Sequence, residues 1–337
     1  MAQHRHFIAR LARRGALGAL AIALATGMGA VRAAAPTGAF PDRPVHLLVG
    51  LPPGGGADAV ARVFAEGLAR GLGQQVLVEN RAGSAGLIAA DAVAKSTADG
   101  YTLLFGTVSS QAIFPSLYRK LPYDTVRDFA PISMIASYPL VLVVSPSLPC
   151  RSMAEFIAYA KARPGQLSYA SAGYGSPLHL SMEMLKTAAG IDLLHVPYKG
   201  GVQAVADLLG GEVQVIFDAL PTQLANIRSG RVRALAVTSS TRSAQLADVP
   251  TMAEAGIAGM ELGGWFAVFA PAAVPADTLR LLHAAAARVV DDPGTRERLA
   301  LMGAQAASST PQQLAEFQQA EIAKWRKAVH ASGATLD

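Results

Sequence analysis

Val45–Arg62, which reads VHLLVGLPPGGGADAVAR, is the stretch from which the rest of the chain is best read. It opens with a short apolar run, Val45-His46-Leu47-Leu48-Val49-Gly50, suited to a buried strand. Pro52 and Pro53 end that strand, since neither can donate to a ladder. Gly54, Gly55 and Gly56 then allow a tight turn with no Cβ in the way. From Ala57 to Arg70 the spacing of Val60, Val63, Phe64 and Leu68 predicts a helix with one apolar face. A strand, a glycine turn and a helix start make an anion site: the first helical N–H groups lack partners and the helix dipole adds partial positive charge. One such turn is equally an ordinary α/β connection.

The design recurs. Val76-Leu77-Val78 leads through Asn80-Arg81-Ala82-Gly83-Ser84-Ala85-Gly86 into an Ala-rich helix. Leu167–Ala170 leads through Ser171-Ala172-Gly173-Tyr174-Gly175-Ser176 into a helix starting near Pro177. Leu194–Pro197 leads through Tyr198-Lys199-Gly200-Gly201 into a helix over Val202–Leu209. Two of these turns precede residue 100 and two follow residue 165, which predicts two lobes, each offering two helix N-termini to a shared cleft.

Residues 1–33 read as a secretory signal peptide. Arg5, Arg10, Arg13 and Arg14 precede an apolar run from Gly15 to about Val31, and Val31 and Ala33 fit the small-residue cleavage site. The whole chain is formally +5, but this leader holds five arginines and no acid, so the remainder is neutral. That balance gives no support to a nucleic-acid or anionic-membrane partner. Cys150 is the only cysteine, so no intramolecular disulfide can form; it follows Pro149 in an expected loop, with no histidine near in sequence.

Further along, Gly106-Thr107-Val108-Ser109-Ser110 is a polar loop at the C-terminal end of a strand over Thr102–Phe105, where open α/β sheets place ligands. Asp128–Ile135 and Leu140–Val144 read as two extended segments crossing into the second lobe. The expected layout is residues 40–138 as the first part of lobe 1, 139–258 as lobe 2, and 259–337 as the return to lobe 1 with the C-terminal helices.

Several motifs in this order resemble a known family. They include Phe40-Pro41-Asp42-Arg43-Pro44, Pro52-Pro53-Gly54-Gly55-Gly56-Ala57-Asp58, Glu79-Asn80-Arg81-Ala82-Gly83 and Ala98-Asp99-Gly100-Tyr101. Further on come Tyr174-Gly175-Ser176-Pro177-Leu178-His179, His195-Val196-Pro197-Tyr198-Lys199-Gly200-Gly201 and Asp248-Val249-Pro250-Thr251-Met252-Ala253-Glu254-Ala255-Gly256. The chain resembles the TctC/Bug family, the extracytoplasmic solute-binding proteins of tripartite tricarboxylate transporters. The resemblance implies an α/β, two-lobed periplasmic binding protein (Venus-flytrap) fold, each lobe a mixed sheet flanked by helices, with the cleft between them. It implies a periplasmic monomer that closes over a small carboxylate and serves a membrane permease. The ligand would be a mono-, di- or tricarboxylate, an acidic amino acid or an aromatic acid, held by backbone N–H groups, small polar side chains and water. No cofactor or metal is expected. The chain departs from the family pattern at Ala85, where a glycine is usual, and at Leu87, where asparagine is common.

The expected ligand-binding residues are Pro53, Gly54, Gly55, Gly56, Asp58, Gly83, Ser84, Ser109, Ala172, Gly173, Gly175, Ser176, His179, Lys199 and Asp218. Asp58 reads equally as a first-turn acid favouring the helix dipole, and Ser176 as a helix cap. His179 either reaches the cleft or packs within its lobe. Asp218 ends a strand and could accept from a ligand amine or hydroxyl. Ser176 and His179, three apart, could also be imagined as nucleophile and base of a secreted hydrolase, but the sequence offers no Gly-x-Ser-x-Gly elbow. A carboxylate sensor for a membrane receptor is a further alternative.

Overall fold

The computed structural model describes residues 40–198 and 201–337. The signal peptide expected over 1–33, and Lys199 and Gly200 of the fourth glycine turn, lie outside them. Val45–Val49 forms β1 and Gly56–Leu72 forms α1. Val76–Asn80 (β2), Leu87–Ala94 (α2) and Thr102–Thr107 (β3) follow. The polar loop expected after β3 is instead a wide helical turn, Ser109–Ile113, running into the short helix Phe114–Leu117 (α3). All five residues of that turn are buried, so their backbone groups need partners that an open loop would not supply.

The two extended segments expected at 128–135 and 140–144 are one strand, Phe129–Val144 (β4). Pro139 does not break it, because the strand changes partners there. Through Pro139↔Gly263, β4 pairs with Gly263–Pro271 (β9). From Leu140 to Val144 it pairs with Val215–Ala219 (β7) on one side, and over Val141–Val144 with Arg233–Val237 (β8) on the other. Proline removes one ladder donor, which is tolerated where the ladder changes hands.

Between β4 and β9 come Met153–Lys161 (α4), Ser168–Ser171 (β5), Pro177–Ala189 (α5), Leu194–Pro197 (β6) and Gly201–Gly210 (α6). Leu220–Arg228 (α7) follows β7 directly. After β9 come Ala276–Asp291 (α8), Pro293–Leu301 (α9), the two-residue Gln305–Ala306 (β10) and Pro311–Ser332 (α10). Thr310 and Gln313 close a capping box at the start of α10.

The strands run β2-β1-β3-β9-β4-β7-β5-β6, with β8 and β10 also on β4. β1 is parallel to β2 and β3, while β9 is antiparallel to β3 and β4. β5 is parallel to β6 and β7. β4 is thus common to two mixed sheet halves, each flanked by helices, and Pro41–Asp337 pack as one unit. One core cluster extends through both halves, from Leu48 and Leu104 to Tyr169 and Phe217. A second, including Val141, Ile216, Leu208 and Leu224, lies under α6 and α7. α10 packs on β4, on the 109–117 turns and on α5. Among the described residues no helix is long and apolar enough to cross a membrane.

Candidate functional site

The first glycine turn is pinned from inside. Asp58, in the first turn of α1, is buried. Its Oδ2 accepts from Gly54 N–H at 3.0 Å and Arg62 Nε at 2.9 Å; its Oδ1 accepts from Asn80 Nδ2 at 2.9 Å. The Asn80 amide also donates to the Leu51 carbonyl at 3.1 Å. Burial pushes the Asp58 carboxyl up, but Arg62, Gly54 N–H and Asn80 outweigh it and hold the group below its ordinary value. The carboxylate is therefore anionic at neutral pH and engaged within the protein, where it shapes the turn. Pro53 and Gly54 are exposed, and Gly55 is the N-cap of α1 with no side chain to close it.

The second turn is the most contorted part of the backbone. Gly83, Ser84, Ala85 and Gly86 all have positive φ, at 152°, 45°, 52° and 104°. Gly86 is the N-cap of α2 and lies against Gly50, where an added Cβ would fall 2.4 Å from Gly86 Cα. The Ser84 side chain hydrogen-bonds the Tyr118 phenol. Ser109 is buried at the start of the wide turn, and Ser110 beside it bonds back to Thr107 and borders Gly86.

In the second half, Ala172, Gly173, Gly175 and Ser176 form the loop between β5 and α5. Ser176 is the N-cap of α5: its Oγ accepts from His179 N–H at 3.3 Å. The His179 ring accepts from Gly175 N–H on Nδ1 at 3.2 Å rather than from the Ser176 hydroxyl, so the pair is not arranged as base and nucleophile. His195 on β6, absent from the expected ligand-binding residues, lies 4.3 Å from His179 in a ring stack that continues to Tyr169 at 4.7 Å. Its Nε2 is 2.7 Å from Ser171 Oγ. Burial lowers the basicity of both rings; His195 is brought down to about 4, with the neighbouring His179 adding to the effect.

Asp218 is the last residue but one of β7 and is buried, receiving Ala219 N–H at 2.8 Å and Gln223 Nε2 at 2.7 Å. Burial pushes its pKa up to about 6, against the opposing effect of those two donors.

Two of the contacts between the halves involve the glycine turns. A Cβ built on Gly56 would lie 3.6 Å from Thr222 Oγ1 and 3.8 Å from Pro221 Cβ, so the N-termini of α1 and α7 abut. One built on Gly175 would fall 2.1 Å from Leu117 Cδ2, so the second-half loop sits directly on α3. Pro221, Thr222 and Leu117 are absent from the expected ligand-binding residues. α7 follows its strand with no glycine turn, and glycine turns were the signal used. A cavity of about 720 Å³ lies elsewhere, on the edge of β4 between β8 and β10, and is lined by Tyr138, Pro139, Ser239, Leu262 and Trp265. None of the expected site residues borders it. Among the described residues no group of three or more His, Cys, Asp and Glu is placed to hold a metal ion.

Two mixed sheet halves sharing a strand, with glycine turns of each half lying against the other half, define the periplasmic-binding-protein class. Within that class the chain belongs to the tripartite tricarboxylate transporter family receptors, TctC, whose family model matches residues 60–334. It is 42% identical to protein BugT of Bordetella pertussis over 306 residues, 90% of this chain and 94% of that one. Among solved structures it is similar to R. palustris Rpa4515 with adipate, at TM-score 0.84 and 38% identity over 88% of this chain and 100% of that one. It is also similar to MatC (Rpa3494) from Rhodopseudomonas palustris with bound malate, at TM-score 0.80 and 32% identity over 86% and 100%. The family is made up of solute-binding proteins, some with carboxylate ligands.

Proposed function

We propose that this protein is an exported, periplasmic, monomeric solute-binding protein that captures a small carboxylate by closure of two lobes and delivers it to a tripartite transporter permease. Residues 40–138 with 259–337 form one lobe and residues 139–258 the other, hinged where β4 changes partners. The observation that carries this reading is the abutment of α1 and α7 at Gly56 and Thr222. Each helix start bears partial positive charge, so two brought together repel, and an anion lodged beside both relieves that repulsion. An anion bridging the two favours the closed arrangement over the open one, which is a population shift by differential binding. We take Pro53–Gly56, Gly83 and Ser84, Ser109, the 172–176 loop and His179 as the groups that would hold the ligand there, with Asp58 shaping the first turn; Lys199, proposed with them, lies outside the described residues. Asp218, largely protonated below its raised pKa, offers a hydroxyl hydrogen to a carboxylate or accepts from a ligand amine or hydroxyl.

The relatives solved with adipate and malate make dicarboxylates the first ligands to try. Native mass spectrometry of protein taken from the periplasm, against the same sample unfolded and refolded, should reveal a small acidic mass lost on unfolding. A thermal-shift panel of mono-, di- and tricarboxylates on the refolded protein should give a saturable rise for one class. No saturable response to any carboxylate, together with a clean apo mass, would sink the proposal.

A further inference from the structure

We propose that His179 and His195 are positioning residues: a two-point clamp that holds the 171–176 loop in its ligand-ready shape and that acid releases. The inference rests on the reading of that loop as part of the ligand site.

Each histidine grips the loop through a backbone amide. His179 Nδ1 accepts directly from Gly175 N–H, at 3.2 Å. His195 acts through Ser171. The Ser171 Oγ receives Gly173 N–H at 3.1 Å, lies 3.2 Å from the Gly173 carbonyl and 2.7 Å from His195 Nε2. One arrangement of protons satisfies all of these contacts. His195 Nε2–H donates to Ser171 Oγ, and the Ser171 hydroxyl donates to the Gly173 carbonyl while accepting the Gly173 amide. His195 Nδ1 is then a bare lone pair in a buried position, with no partner among the described residues. Both rings thus do their work neutral, with the proton on Nε2.

Adding a proton breaks the first grip and makes the second costly. A proton on His179 Nδ1 would face the Gly175 N–H, donor against donor. A proton on His195 Nδ1 would be a buried donor without an acceptor. The two rings are stacked 4.3 Å apart, with Tyr169 4.7 Å beyond His195 and Tyr174 edge-on to both, so charging both places like charges in one stack. The charged groups acting on the pair, Glu183 and Lys186 of α5, are paired with each other at 2.9 Å. Glu183 also takes the Tyr169 hydroxyl at 2.5 Å, so it is already committed. Besides the histidines, the loop is held by Ser176 N–H on the Gly173 carbonyl at 3.2 Å, by Tyr198 N–H on the Ser171 carbonyl at 3.0 Å and by Leu117 across the interface, while Gly173 and Gly175 sit at φ 116° and 70°. Freed of the histidines, a glycine loop gains backbone entropy by spreading.

The sign follows from the lowered basicity of both rings. Their neutral forms favour the folded loop above the ordinary histidine value of about 6.5, and that contribution is lost as pH falls through the folded values.

The test needs no ligand. Amide exchange of Gly173 and Gly175 in the full-length protein, corrected for intrinsic chemistry, is read at about pH 7 and about pH 4.5. Their protection should fall about tenfold or more relative to that of Leu47 in β1. In His179→Asn/His195→Gln, Asn supplies the acceptor in place of Nδ1 and Gln the donor in place of Nε2, and neither titrates. Its loop protection should not change with pH. Flat protection in the wild type, or an equal fall in the double variant, overturns the clamp. Titration with adipate as a probe then separates the two readings. Affinity that weakens in acid only in the wild type supports the clamp as part of the site. A pH-sensitive loop in a protein that binds neither adipate nor any other carboxylate leaves the clamp standing and removes the carboxylate proposal.

Discussion

Ala85 holds φ 52° where a glycine would sit without strain. Left-handed backbone costs an L-residue about 1–2 kcal/mol, so Ala85→Gly should raise stability by about 1 kcal/mol in a urea titration. Gly55 presents the opposite case. Its φ is −83°, and a Cβ there would meet only the Pro52 carbonyl oxygen at 3.7 Å. The fold does not require glycine at this position, and Gly55→Ser would supply α1 with the side-chain cap it lacks. Stability should rise by about 0.5–1 kcal/mol. If the ligand rests on this backbone, carboxylate affinity should nevertheless fall, about tenfold or more, by calorimetric titration. Unchanged affinity would move the site away from Gly55. Asp218 has a folded pKa raised to about 6, so its contribution to stability is full below the ordinary aspartate range and lost as pH rises through 6. Asp218→Asn removes that loss. Wild-type stability relative to the variant should therefore decline from about pH 4 to about pH 7, the reverse of the histidine effect over the same range.

β4 and α10 do the most to join distant parts of the chain. Gln318 of α10 donates from one amide nitrogen to Gln111 O, Gln111 Oε1 and Thr125 O, all within 3.2 Å. Gln318→Ala would strand buried carbonyls as well as open a cavity, and should cost about 2–3 kcal/mol by chemical denaturation. Such links were invisible in the sequence: nothing local tells Gln318 that its partner is Gln111. The strand–glycine turn–helix units were legible because each is a local signal, an apolar run followed by residues that only a turn favours. The sequence reads as two extended segments, 128–135 and 140–144, where the structure has one strand; the change of partners at Pro139, a tertiary fact, is what lets a proline stay inside it. Likewise His179 could be singled out beside a helix start, whereas His195 needed the register Tyr169↔His195 to bring it next to His179.

For the molecule as a whole, two lobes do not mean two folding units. β4 belongs to both sheet halves, and α10 rests on β4 and α5 together. Calorimetry should show a single transition with a van't Hoff to calorimetric enthalpy ratio of about one. Two resolved transitions would show that the shared strand does not couple the halves. The order of strands also has a consequence for how the protein is made. β3 and the first part of β4 are separated in the sheet by β9, which is encoded last but one among the strands. Until the ribosome has added Pro271, both keep raw edges with no neighbour to cover them. The last link comes later still, when Leu336 N–H reaches the Leu117 carbonyl and the Leu336 carbonyl receives Arg119 N–H. A growing chain therefore cannot complete its first half ahead of its second, and that half stays unfinished and open to chaperones until Leu336 has been added.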